Sequence, residues 1–161
     1  MKARVDDLDR AIVDLLKENG RMPCADMARR VGNVSANTIS NRIRRMVQKG
    51  IMKVTSVADP CALGYPLTAL IDVQTDQANP TELAQAVAKL DAVSYVAMVA
   101  GDRDLLVVVH VRDAEHLHRL VTSTLRRLPG ITRTETRLLL TRSFKDLHDW
   151  SIPTDERRGE G

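Results

Sequence analysis

The apolar residues of this 161-residue chain change their spacing near its middle, and that change constrains the fold more than any other feature. Up to Gly50 they recur three and four positions apart, the period of a helix with one buried face. Beyond Gly64 they come in short β-branched runs bounded by turn and cap residues, as in "LLVVVHV" from Leu105 to Val111. A chain patterned this way folds as a helical module followed by a sheet module.

In the first half, Leu8, Ile12, Leu15 and Leu16 form a stripe on a helix from Asp6 to Glu18. Asp6 caps it, and Asp9 stands at the third helical position, where an acid favours the exposed amides. Asn19-Gly20 ends it. A second helix runs from about Pro23 to Val31, with Met27, Ala28 and Val31 inward, and Gly32-Asn33 makes a tight turn. Ser35 then caps a third helix from Ala36 to Lys49, whose buried stripe is Ile39, Ile43, Met46 and Val47, and Gly50 closes it. Three short helices with a Gly-containing turn before the last read as a helix-turn-helix domain.

In the second half, Ile51 to Val57 is a β-rich connector broken by Asp59-Pro60. Strands are expected at 67–74, 93–100, 105–111 and 131–140. Asn79-Pro80-Thr81-Glu82 starts a helix reaching Leu90, and Asp113 caps another reaching Arg127, before Pro129-Gly130. The order β-α-β-β-α-β is ferredoxin-like. The fold class is therefore α+β: an N-terminal helix-turn-helix (winged-helix-like) domain joined by a β connector to a C-terminal ferredoxin-like βαββαβ domain. The boundaries are 1–50 for the helical domain, 51–64 for the connector, 65–145 for the sheet domain and 146–161 for a partly disordered tail. "LLVVVHV" barely alternates, although helices cover only one face of such a sheet. A second copy packed on the other face is the simplest cover, so a homodimer is expected.

Aromatic residues make up only 2% of the chain, which argues against single-strand binding by stacked rings. Charge is uneven: residues 1–60 hold 12 Lys/Arg and 7 Asp/Glu, and no acid falls between Met27 and Ala58 while seven basic residues do. Such a field suits a polyanion. Cys24 and Cys61 form no CxxC pair, so neither a disulfide framework nor a zinc site is expected, and no apolar run spans a bilayer. A reduced cytoplasm is the expected compartment. His116 and His118, two apart, do not share a helix face, so no metal site is expected there. His110 reads as a hydrogen-bonded core or interface residue. No phosphate loop, dinucleotide fingerprint or catalytic triad order appears, and no cofactor is expected.

On the third helix the apolar stripe turns Asn37, Thr38, Asn41, Arg44, Arg45 and Gln48 outward. Asn and Gln pair bidentately with adenine, Arg with guanine, and Ser or Thr with base edges or phosphate. Ser35 at the cap and Ser40 complete the DNA-binding set, and Arg42 either joins it or packs against the first helix. Arg29, Arg30, Lys49 and Lys53 are candidates for phosphate contacts. The partner implied is double-stranded DNA.

The run "VDDLDRAIVDLLKENGRMPCADMARRVGNVSANTISNRIRRMVQKGIM" with "ADPCALGY" resembles the N-terminal half of the Lrp/AsnC (feast/famine) transcription regulators. "VAGDRDLLVVVHV" and "ITRTETRLLL" resemble their C-terminal half, so the likeness covers about residues 5–145. The resemblance implies a dimeric, non-enzymatic regulator, often assembled into tetramers or octamers, that binds operator DNA and senses a small molecule, commonly an amino acid. It places the effector at Gly101, Asp102 and Asp104, with Thr134, Thr136 and Met98 as further contacts or pocket wall; as a plain sequence, Gly101-Asp102-Arg103-Asp104 needs only to be a tight turn. Three departures stand out. Pro23 replaces the usual Ser cap, the turn Gly32-Asn33-Val34 is one residue longer, and Arg103 replaces an aromatic residue. Arg103 would favour an acidic effector. Siroheme decarboxylases share this two-part architecture, and an architectural DNA binder without an effector would share its first half.

Overall fold

The computed structural model describes residues 5–76 and 79–140, in two compact units divided after Val57. The tail expected from residue 146 lies outside the described residues.

The first unit holds α1 (Asp7–Glu18), α2 (Cys24–Val31) and α3 (Ala36–Gln48). α1 starts with a reciprocal cap: the Asp9 amide donates to the Asp6 carboxylate at 2.9 Å, and the Asp6 amide donates to Asp9 Oδ2 at 3.3 Å. This box satisfies two amides that the first turn leaves without helical partners. The turn before α3 uses the left-handed region at Gly32 (φ 77°) and at Asn33 (φ 54°), the residue type that best tolerates it after glycine. Ile12, Met22, Met27, Ile39 and Met46 close the core. Ile43 packs on it half-buried, but Val47 is exposed, because the stripe drifts off the core face in the last turn.

The β-rich connector, residues 51–57, forms no strand, and residues 53–57 are exposed without regular structure. A lone β-rich segment has no neighbouring strand to satisfy its amides and carbonyls, so composition alone does not make it a strand. A hydrogen-bonded turn follows, where the Leu63 amide donates to the Asp59 carbonyl and the Tyr65 amide to the Pro60 carbonyl.

The second unit is a four-stranded antiparallel sheet of β1 (Leu67–Thr75), β2 (Val93–Met98), β3 (Leu105–Val111) and β4 (Ile131–Leu138), in the order β2-β3-β1-β4. This is the ferredoxin-like arrangement expected. α4 (Thr81–Val87) and α5 (Ala114–Arg119) lie in its crossovers. α4 is shorter than expected, and Asn79 feeds its start by accepting from the Thr81 amide. The helix expected to run unbroken to Arg127 passes from α5 into a π turn at Leu120–Thr124 and a 3-10 turn at Leu125–Arg127. The Thr122 hydroxyl donates to the His118 carbonyl at 2.8 Å, and this local competition for the backbone accompanies the widened turn.

The core lies on one face of the sheet. Ala69, Ile71, Val73, Leu105, Val107, Val109 and Val111 point into it against Leu83 and Val87 of α4 and Leu120, Val121 and Leu125. β3 therefore does alternate in burial. Its even positions, Leu106, Val108 and His110, are half-buried on the opposite face with Leu70 and Asp72 of β1.

Candidate nucleic-acid interface and sheet cleft

α3 is fixed at its start by Ser35, whose hydroxyl oxygen accepts from the Thr38 amide at 3.1 Å and lies 2.9 Å from the Thr38 hydroxyl. Such a cap contributes about 1 kcal/mol. Ile39 and Met46 are wholly buried, which turns Asn37, Asn41, Arg44 and Gln48 into solvent. These four follow one another at steps of four, three and four, a single stripe on the helix. Arg44 Nη1 donates to Asn41 Oδ1 at 3.2 Å, so the two present a joined donor and acceptor surface. Thr38 and Ser40 are half-buried at its margin.

Two arginines of the expected set are held by acids of α1, as the alternative reading of Arg42 had it. Arg42 and Arg45, one turn apart on α3, both reach back to α1. Arg42 pairs with Asp6 and, at 3.1 Å, with Asp9, while Arg45 Nη2 lies 2.6 Å from Asp9 Oδ2. Asp9 is completely buried, and its side-chain oxygens accept from these two guanidinium groups and from the Asp6 amide. The bond from Arg42 is the main influence holding the Asp6 carboxyl below its ordinary range, and the same bond raises Arg42. Helical spacing puts residues 42 and 45 on the flank beside Met46, a signal present in the sequence. What it lacked was the acid waiting there, since Asp9 is 36 residues away from Arg45.

The phosphate candidates change likewise. Arg30 donates to Glu18 at 2.6 and 2.8 Å, and Arg29 pairs with Asp26. The stretch without acids is therefore acid-free only along the chain. Asp6, Asp9, Glu18 and Asp26 meet four of its seven basic residues in space.

In the sheet unit, the turn residues and the two threonines expected with them do not form one site. Thr134 stands opposite Val73 and Thr136 opposite Ile71, on the face the helices cover. Asp72 stands between Leu106 and Glu135 on the open face. A cleft of about 400 Å³ opens there, lined by Asp72, Val99, Ala100, Asp102, Arg103, Leu106, Glu135 and Arg137. Arg103 Nη2 lies 3.0 Å from Glu135 and Nη1 lies 3.4 Å from Asp102, while Arg137 pairs with Asp72. Glu135 is the first cause raising the Arg103 pKa. Arg103 thus has two acids as partners, Glu135 and Asp102.

Asp104 is turned away from this cleft. Its carboxylate accepts from the Thr75 amide at 2.8 Å and its own amide donates to the Val73 carbonyl, so it ties the turn to β1. Gly101 (φ 138°) adopts backbone open only to glycine at low cost. Met98 is exposed on the edge strand, neither core nor cleft wall. Thr134 instead accepts from Arg126 Nε at 3.2 Å beside a separate hollow. Asp72, Glu135 and Arg137 went unnoticed in the sequence, because alternate charged residues on a strand read as an ordinary solvated face.

A helix-turn-helix unit with an exposed polar stripe on its third helix, followed along the chain by a ferredoxin-like unit with a cleft, is the make-up of a DNA-binding transcriptional regulator with a ligand-binding domain. The AsnC-type helix-turn-helix domain matches residues 5–47, and the Lrp/AsnC ligand binding domain matches residues 68–147. An HTH-type transcriptional regulator of Pyrococcus abyssi is 33% identical over 139 residues, covering 86% of this chain and 87% of that protein. The structure of E. coli AsnC is 27% identical and superposes with a TM-score of 0.79 over 89% of this chain and 97% of that one. The leucine response regulatory protein of Mycobacterium tuberculosis is 25% identical with a TM-score of 0.81, over 92% and 99%. The chain belongs to the Lrp/AsnC family of transcriptional regulators, in keeping with relatives that are HTH-type transcriptional regulators.

Proposed function

We propose that this regulator reads operator DNA with Asn37, Asn41, Arg44 and Gln48, and that a zwitterionic effector in the sheet cleft adjusts its assembly. The carrying observation is the pairing of both charge signs in one cleft: Arg103 and Arg137 beside Asp72 and Glu135, with Leu106 and Val99 as apolar wall. An amino acid or closely related metabolite carries a carboxylate for the arginines and an ammonium for the acids. Asp102 at the rim is a further acceptor, and Gly101 and Asp104 serve by shaping the turn.

The open sheet face supports a homodimer. Leu70, Leu106 and Val108 remain half-exposed there, with Tyr95 beside Val108 on β2, and a second copy of the same face would cover them. Each dimer would present two α3 helices to successive major grooves. Tetramers or octamers follow where ligand binding favours one assembly over another.

Selection of bound genomic fragments with and without each amino acid tests both halves. Fragments and assembly size that shift with one amino acid support the reading; a set indifferent to all of them leaves an effector-independent DNA binder. On the selected site, Arg44→Ala and Asn41→Ala each weaken binding by at least about 1 kcal/mol. Unchanged binding by both variants means that another face meets the DNA.

A further inference from the structure

The recognition helix carries three arginines within four residues, Arg42, Arg44 and Arg45, yet only Arg44 points along the reading stripe. Asp9 takes the other two on its separate oxygens, Arg42 on Oδ1 at 3.1 Å and Arg45 on Oδ2 at 2.6 Å. Arg42 is held a second time by Asp6, whereas Arg45 has Asp9 as its acid and keeps 40% of its side chain exposed. Arg45 is also the more exposed of the two, so its long side chain can turn outward with the smaller loss of contact.

We propose that Asp9 is a specificity-determining positioning residue: it withholds Arg45 from DNA phosphates, so that base-reading side chains and not bulk charge decide where the protein binds. Phosphate contacts raise affinity for every sequence alike, because each one releases counterions irrespective of the bases. A regulator gains discrimination by limiting such contacts next to its reading stripe. A buried carboxylate suits the task because water screens it little and its attachment to the α1 cap fixes its position. Arg42 and Arg45, one turn apart on a common acid, also fix the roll of α3 about its axis, which aims Asn37, Asn41, Arg44 and Gln48. The proposal goes beyond the reading of α3 as the DNA helix and rests on it.

The test uses the full chain and a random-sequence duplex of about 30 base pairs, with affinity followed against salt, where each phosphate contact contributes a slope of about 0.9. Asp9→Asn keeps the shape and removes the charge. It is expected to steepen the slope by about one contact and to narrow the ratio of operator to random-duplex affinity. Asp9→Asn with Arg45→Gln returns the slope to the native value. Arg45→Gln alone leaves the slope unchanged, since Asp9 already occupies that charge. A shallower slope for Arg45→Gln alone overturns the proposal, because Arg45 would then be on phosphate in the native protein. So does a native slope for Asp9→Asn with its helical circular dichroism intact. Should Asp9→Asn fail to fold, Arg45→Gln still decides between the two outcomes. Arg44→Gln, expected to lower operator affinity, separates failure of the α3 reading from failure of the Asp9 proposal.

Discussion

The two units bury very different things. The helical unit encloses five apolar side chains and one carboxylate, Asp9, with two arginines drawn against it. Among the described residues, the sheet unit encloses twelve apolar side chains and no charged one. The charged residues of β1 and β4 sit on its open face, several of them in the cleft. A small helical core leaves most of α3 outside, free to carry function, and relies on caps and ion pairs to hold that helix in place. A sheet covered on one side keeps packing and chemistry on opposite faces, so its functional residues can vary without touching the core.

The contrast fails first if the sheet unit does not behave as an aliphatic core. Ile71→Ala is expected to cost about 2–5 kcal/mol in urea unfolding, with little dependence on salt. A loss below about 1 kcal/mol, or one that salt removes, would break the contrast. Asp9→Ala is expected to cost about 2 kcal/mol, less than a fully buried pair because both arginines can rehydrate. Residue-resolved amide exchange should show faster opening of α1 and α3 and no change in β1–β4.

Acid separates the units by pH window. The Asp6 carboxyl is depressed, chiefly by Arg42, so its contribution is fully present above the unfolded value near 3.9 and is lost as pH falls through the lower folded value. His110, whose ring lies 3.0 Å from the Thr68 hydroxyl, is depressed by burial, so its contribution is present above about 6.5 and is lost as pH falls through its folded value. The helical unit should therefore weaken only below pH 4, and the sheet unit slightly in the histidine range. Asp6→Asn and His110→Gln should each flatten one window alone; NMR-monitored titration of both units reads the result. Both effects are expected to be small, because neither side chain is deeply buried.

Much of the fold was legible because it rests on local chemistry. The Asp6 and Ser35 caps, the Gly32-Asn33 turn and the run Leu105–Val111 all lie where short-range rules put them. The connector and the π turn were not legible, since one depends on a neighbouring strand and the other on competition between side chain and backbone. The site divided in the same way. The stripe Asn37, Asn41, Arg44 and Gln48 follows from helical period alone, whereas the acids that Arg42, Arg45, Arg103 and Arg137 meet across the fold lie 32 to 65 residues away.

The sequence by itself determined a three-helix reader followed by a ferredoxin-like sheet, because periodicity, caps and breakers act over a few residues. Only the tertiary structure decided which charges remain available. An ion pair depends on distance in space, and here four acids from outside the acid-free stretch, or at its edge, fold back onto its arginines. On the sheet, one residue's difference in position along β4 puts Glu135 in the cleft and Thr134 and Thr136 on the opposite face.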